Sequence, residues 1–342
     1  MSRSLGHESY PFELTVGAVK FTQAEPNGFE YIEIEDHVDM IGVANLAVNM
    51  ENQNWGTFQV GDEVECMVGE TERKMFAGIV TGMRYAAKGG KQLLILRAMD
   101  PLCKAAASRR TKVYEELKDS DIVQEVLGLA GLEPGQIDAT DEAHPYVFQR
   151  SESDLEFMKR LAARNNYLLR SAEGKVDFVK PQFGGSGYEV KDEALTSLDY
   201  SYSVMSVPPE ITTYGWDYNA SKMVEGTATD SDIEAIGSGE SALSLSGRIW
   251  GAGTTISDVD VSAQGGAKGI AMAELNRAAR NFLRGRATID GDANIFAGAV
   301  VKFSGHREGF NPEAYVISAR HRIVFKRGFE TQFNFCSNTL PV

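Results

Sequence analysis

The chain has 342 residues, 43% of them hydrophobic and 24% charged, with 48 acidic side chains against 34 basic ones for a net charge of −14. That length suits about two domains with real cores, and the ordinary composition excludes wholesale disorder. No apolar run approaches the roughly 18–20 residues of a membrane-spanning helix, and the acidic balance argues against a nucleic-acid binder, which would carry a basic stripe.

The N-terminal stretch MSRSLGHESYPFEL has no apolar h-region, so no secretory signal is expected and the protein should be made in a cytoplasm. From Phe12 to Met99 the pattern reads as β: Phe12-x-Leu14-x-Val16, Phe29-x-Tyr31-x-Glu33, Val64-x-Cys66-x-Val68 and Ile79 through Tyr85 alternate. Turn signals at Pro26-Asn27-Gly28, Gly61-Asp62, Gly69 and Gly89-Gly90 separate them, and Leu93 through Leu96 closes the unit before Asp100-Pro101. Short strands so spaced indicate an antiparallel barrel or sandwich.

Then the period lengthens. Ile122, Val123, Val126, Leu127 and Ala130 form a helical stripe after Ser120-Asp121, stopped by Gly131. A second helix is predicted from Ser153, with Glu156 at capping-box spacing, a core stripe of Leu155, Met158, Leu161 and Ala162, and Asn165-Asn166 at its end. Its Arg160 and Arg164 are expected on the solvent side. Tyr167–Arg170 and Lys175–Val179 read as a hairpin turned at Glu173-Gly174.

β patterning returns from Leu195. The Ser/Gly/Thr-rich acidic stretch 226–257 reads as a long loop or hairpin. One helix follows, with Ala271, Leu275, Ala278 and Phe282 on a face and Gly285 near its end. Strands are expected at Ala299–Phe303, Tyr315–Ala319, Arg322–Phe325 and Thr331–Phe335. The fold class is therefore mainly β with an α+β insert: a first barrel domain over 1–104, a connecting module over 105–188, and a second barrel domain over 189–342. An internal echo supports the pairing of barrels. Gly61, Val64, Gly69 and Phe76 run parallel to Gly298, Val301, Gly305 and Tyr315, each a glycine-led turn, a strand, a glycine turn and a second apolar strand.

Charge is uneven. No Lys or Arg lies between Lys20 and Arg73, a second acidic reach from Glu225 to Asp260 carries only Arg248, and bases gather late at Lys302, Arg307, Arg320, Arg322, Lys326 and Arg327. Solvated strand faces, complementarity between subunits and an acidic lumen wall are all compatible with this. Cys66, Cys103 and Cys336 are odd in number and widely spaced, which excludes a disulfide scaffold. His7, His37, His144, His306 and His321 form no metal-ligand spacing, and Asp258-Val-Asp260 lacks a calcium-loop pattern. No GxSxG elbow, phosphate loop or dinucleotide fingerprint appears, so no catalytic residue, cofactor or metal is expected. Trp55, Trp216 and Trp250 are far apart in sequence and expected to be packed.

The most distinctive segment carries Gln149, Glu152, Asp154, Phe157, Arg160 and Leu161 in the order Q-x-x-E-x-D-x-x-F-x-x-R-L-A. This pattern resembles the late control protein D family of contractile phages and the hub part of the valine-glycine repeat spike proteins of type VI secretion. Phe76-Ala-Gly78-Ile79-Val80 is similar to the family's F-x-G-x-V strand, and Ser120-Asp-Ile122-Val123 to its segment before the Gln149 motif. Ala271 through Arg286, Gly298-Ala-Val-Val301 and Gly328-Phe-Glu-Thr331 resemble its last domain, so the likeness runs nearly the whole chain in family order.

The resemblance implies a baseplate hub of a contractile injection machine: a phage tail, a tailocin or an extracellular injection particle. Family members form homotrimers with two tail-tube-like barrels per chain. The resulting ring of six meets a hexameric tail tube on one side and a trimeric spike on the other. Because the chain ends at Val342 without a needle, the spike is expected to be a separate polypeptide. Other baseplate proteins are expected partners, and stable nucleic-acid or membrane binding is not. A baseplate-associated peptidoglycan hydrolase and a β-barrel carbohydrate-binding adhesin are the alternatives.

Overall fold

The computed structural model describes residues 11–340 except 52–54, 70–73, 89, 185–186, 218–219, 258–260, 262 and 306–311. Asp258-Val-Asp260, His7, His306 and the Trp55 side chain lie outside the described residues. Alternation dictates the first strands. Phe12–Val16 (β1) buries Phe12, Leu14 and Val16, and Val19–Thr22 (β2) returns along it. Phe29–His37 (β3) pairs with Val43–Asn49 (β4), a strand that the turn and alternation signals do not mark. Glu63–Val68 (β5) pairs with β1, placing Cys66 opposite Leu14. Lys74–Lys88 (β6) and Lys91–Met99 (β7) form a long hairpin. A short helix, Leu102–Ala107 (α1), follows the buried Asp100, whose carboxylate accepts from the Gly42 and Leu102 amides at 2.6 and 2.9 Å.

The middle of the chain is a separate α+β layer. Arg109–Lys118 (β8) pairs with Ala143–Ser153 (β10), while Pro134–Ile137 (β9) runs beside Lys175–Val179 (β12), itself the hairpin partner of Leu168–Ala172 (β11). Glu173 and Gly174 turn that hairpin with φ of +53° and +89°, as the two-residue turn requires. Asp119–Leu129 (α2) and Asp154–Asn165 (α3) pack their apolar stripes on these strands. The capping box at Ser153 and Glu156 is formed, and Asn166 ends the helix in the left-handed region at φ +56°.

The last part opens with Tyr188–Lys191 (β13) and Leu195–Tyr202 (β14). Ile211–Asp217 (β15), Lys222–Ala228 (β16), Ala242–Trp250 (α4), Thr254–Ser257 (β17) and Gln264–Ala279 (α5) then form an appended layer. Leu283–Asp290 (β18), Val300–Ser304 (β19), Glu313–Val324 (β20) and Gly328–Ser337 (β21) complete the main sheet. Three expectations change here. The stretch 226–257 holds α4, capped by Ser241 and ended by Gly251, an α-helix where a loop or hairpin is expected. The segments 315–319 and 322–325 are one strand, because the polar Arg320 and His321 between them stay in the ladder opposite Glu35 and Ile34. Gly285 lies inside β18, opposite Phe335, and not at a helix end.

The main sheet has 13 strands in the order β14-β18-β21-β20-β3-β4-β7-β6-β5-β1-β2, with β19 bridging β13 to β20. Within this curled sheet one arrangement occurs twice: β5-β6-β7-β4-β3 is matched by β19-β20-β21-β18-β14. Register agrees as well as order. Ile79 sits between Glu63 and Met99, and Tyr315 sits between Val300 and Cys336. The bulge at Val80/Gly82 on β6 answers that at Val316/Ser318 on β20, and Phe29/Tyr31 on β3 answers Leu195/Ser197 on β14. The mainly β fold with two such strand sets and an α+β insert is thus what the patterning anticipates. Each set has its own core, and the first is completed by Ile323 and Phe329 from the β20–β21 hairpin.

Candidate functional site

The residues singled out by the motif fall in three places. Gln149 is fully buried within β10, where its amide donates to Asp154 Oδ1 at 2.8 Å and its carbonyl accepts from the Tyr114 hydroxyl at 3.4 Å. Asp154, buried at the first turn of α3, also accepts from Arg110 Nε at 2.9 Å. Carboxylates are favoured at that end of a helix, and the guanidinium offsets the cost of burying the charge. Glu152 takes Arg160 at 2.7 Å, and Arg160 also donates to the Phe148 carbonyl at 2.8 Å while lying over the Phe157 ring. Phe157 stacks on Tyr114 with centroids 5.5 Å apart, and Leu161 fills the core below. The motif therefore clamps β8, β10 and α3 together: its spacing serves structure.

Arg164 is a correction. It is not solvent-facing but pairs with the buried Asp119, at 2.6 Å through Nε, beside Asn165 at 2.6 Å and His144 Nε2 at 3.6 Å. Burial alone would raise the Asp119 carboxyl, but hydrogen bonds from His144 and Arg164 and the Arg164 charge overcome it and hold it down at about 2.

Phe76 lies in the first core on β6. A Cβ on Gly78 would sit 2.2 Å from the Met99 carbonyl oxygen, so only glycine allows β6 and β7 to approach there. Gly298, at φ +94°, leads into β19, and a side chain on it would meet Arg170 at 2.7 Å. Arg170 pairs with Asp177 and donates to the Ala297 carbonyl, both at 3.3 Å, so this turn is where the α+β layer grips the second strand set.

The acidic run and the late bases meet inside the chain. Along the β3–β20 seam Arg320 reaches Glu33 at 2.6 Å and Glu35 at 3.5 Å, and Arg322 reaches Glu33 at 3.9 Å. On the opposite face of the same seam Ile32 faces Ile323 and Ile34 faces His321, all buried. The sequence signal was the complementary charge; what it lacked was which strands would meet. Trp216 and Trp250 correct a second expectation, being 43% and 45% exposed. Trp250 borders an open cleft of about 600 Å³ that Met205, Val207, Ile211 and Asn281 also line. Among the described residues no group of three His, Cys, Asp or Glu gathers to hold a metal, and no helix is long and apolar enough to cross a membrane.

The curled sheet with its twin strand sets and α+β insert has the fold of solved phage tail proteins. The 43 kDa tail protein of prophage MuSo2 from Shewanella oneidensis superposes with a TM-score of 0.73 at 14% identity, covering 96% of this chain and 98% of that one. A tail protein from Neisseria meningitidis MC58 gives 0.73 at 10% identity, covering 96% and 97%. The E. coli c3393 protein, a component of the type VI secretion system, gives 0.62 at 14% identity, covering 95% and 76%. No curated protein matches the chain. In sequence the chain belongs to the family described as Alg8 N-terminal domain, whose model matches residues 24–324.

Proposed function

We propose that this protein is a structural baseplate hub of a contractile injection system, acting as a homotrimer between a hexameric tail tube and a trimeric spike. The observation that carries the reading is the repeat of strand order, register and bulge positions within one chain. Three chains with two matched sets each present six near-equivalent units, the number a sixfold tube needs, while keeping the threefold symmetry of a spike. On this reading the sets correspond to barrel domains over 1–104 and 189–342, with 105–188 as the module that fixes their angle. The work is mechanical, resting on large apolar interfaces of the obligate kind, and needs no catalytic group. The assembled particle would be a virion or injection-particle baseplate put together in the bacterial cytoplasm.

Multi-angle light scattering of the purified chain, alone and with its genetic neighbours, should give a trimer. A monomer under both conditions would sink the proposal, and clearing of cell walls in a zymogram would favour the hydrolase instead.

A further inference from the structure

We propose that the face of the main sheet turned away from both cores is a contact surface for the phosphate backbone of duplex nucleic acid, met by Arg84, Arg97, Arg284, Arg286 and Arg320. The inference goes beyond the hub reading and rests only on this chain's own residues, so the two can fail separately.

The ladder places these side chains. On β18 Leu283, Ala287 and Ile289 turn into the second core, so Arg284 and Arg286 take the other face. On β20 Ala319 and Ile323 are buried, which leaves Arg320 on that same face. On β7 Leu94, Leu96 and Ala98 fill the first core, and Arg97 stands outside it, opposite Gly82 and one same-face step from Arg84 of β6. All five arginines are exposed. They come from four strands far apart in the chain, which is why no basic stripe shows in the sequence.

The twin sets repeat the arrangement. The rung Val43–Met99–Ile79 matches Arg284–Cys336–Tyr315. One same-face step on, Asn45 of β4 faces Arg97 of β7 in the first set, and Arg286 of β18 faces Asn334 of β21 in the second. It is the same rung with its two residues exchanged between strands, and Arg286 Nε donates to Asn334 Oδ1 at 3.1 Å. A further step brings Arg84 and Arg320 to matched places on β6 and β20. Each set thus holds arginines on two successive same-face rungs, about 7 Å apart. Neighbours on the second rung differ, Ile95 against Gln332 and Ala47 against Thr288. An arginine that changes strand keeps no packing contact; what it keeps is positive charge at one height.

Carboxylates share this face. Glu33 and Glu35 pair with Arg320, Asp199 lies opposite Arg286, and Asp290 lies opposite Glu330. Among the described residues no carboxylate forms an ion pair with Arg84, Arg97, Arg284 or Arg286, so four guanidinium groups stay available. On the second set the ground between the arginines is hydroxyl and amide: Ser201, Thr288, Ser318, Gln332 and Asn334. Guanidinium forks among hydroxyls and amides are the groups that meet nucleic-acid phosphates. An acidic peptide would instead need pockets for its side chains, which this flat polar ground does not offer. The net charge of −14 makes the contact weak and salt-labile, a surface along which a duplex slides, rather than stable binding.

The test is fluorescence anisotropy of a labelled DNA duplex titrated with the full chain over a series of salt concentrations. Arg284→Ala with Arg286→Ala is expected to weaken binding about tenfold at low salt and to lower the log–log salt slope by about 2. Arg150→Ala with Lys191→Ala removes the same charge from exposed positions on β10 and β13 and should change neither. Arg284→Lys with Arg286→Lys should keep the slope, which separates lost charge from a folding defect. No binding by the unmodified chain, equal losses in the two alanine pairs, or equal displacement of the duplex by poly-glutamate of matched charge overturns the inference. Light scattering of the same samples reads the hub separately: a trimer that ignores DNA overturns only this surface, and a monomer that binds it supports the surface alone.

Discussion

The two strand sets agree in what the backbone does and differ in what is hung on it. Between β3 and β4 the chain crosses in five residues, 38–42, whereas between β14 and β18 it inserts residues 203–282, the whole appended layer. β1 runs antiparallel to β5, but β13 runs parallel to β19 in the corresponding place. Side chains at matched positions have diverged too: Ile32, Glu33 and Ile34 stand where the second set has Leu198, Asp199 and Tyr200. The ladder and its bulges specify the scaffold, and alternating apolar residues of almost any shape satisfy it.

That contrast can be broken by mutation at matched positions. Ile32→Ala, on the β3–β20 seam, is expected to cost about 2–5 kcal/mol of stability as a fully buried truncation. The half-buried Leu198→Ala should cost clearly less in the isolated chain, both read by denaturant unfolding. Equal losses would show that the two strands are not in different environments.

A subtler difference lies at the end of β7. Asp100 occupies the ladder position that Ser337 takes on β21. Burial pushes the Asp100 carboxyl up to about 7, against the lowering effect of the Gly42 and Leu102 amides. A carboxyl raised in the folded state disfavours folding once ionised, so its contribution is full below about pH 4 and is lost as pH rises toward 7. Asp100→Ser, importing the second set's residue, should flatten the stability profile between those limits. Unchanged slopes would refute the assignment. The smallest effect is expected from Arg320→Ala. Its ion pairs with Glu33 and Glu35 lie on the half-exposed face, so the loss should be about 0–1 kcal/mol and should shrink in high salt.

Much of this architecture is legible in the residues. Strict alternation marks β1 and β5, and the capping box marks α3. The glycine echo pairs the correct hairpins: Gly61 and Gly298 do correspond, although the partner of Tyr315 is Ile79, three residues beyond the Phe76 suggested by patterning. Failures have physical causes. β20 reads as two strands because Arg320 and His321 interrupt the apolar pattern, although His321 is buried in the ladder. β14 shows little alternation because only Leu195 and Leu198 pack against the second core, and the rest of the strand is largely exposed. Arg164 looked solvent-facing because a helical wheel cannot register Asp119, 45 residues earlier. α4 was hidden because its buried side is built from Ala242, Leu243 and Ser246, too small to make a stripe.

The loan of Ile323 and Phe329 to the first core also has a consequence for synthesis. A ribosome that has released β1 to β7 has made every strand of the N-terminal set but not the hairpin that covers β3. That nascent half must wait for residues 323–329, on strands that make the most sequence-distant pairing in the sheet, before its hydrophobic interior is sealed. Products truncated before the β20–β21 hairpin therefore cannot masquerade as finished subunits: only a chain translated past Phe329 acquires a complete first interior.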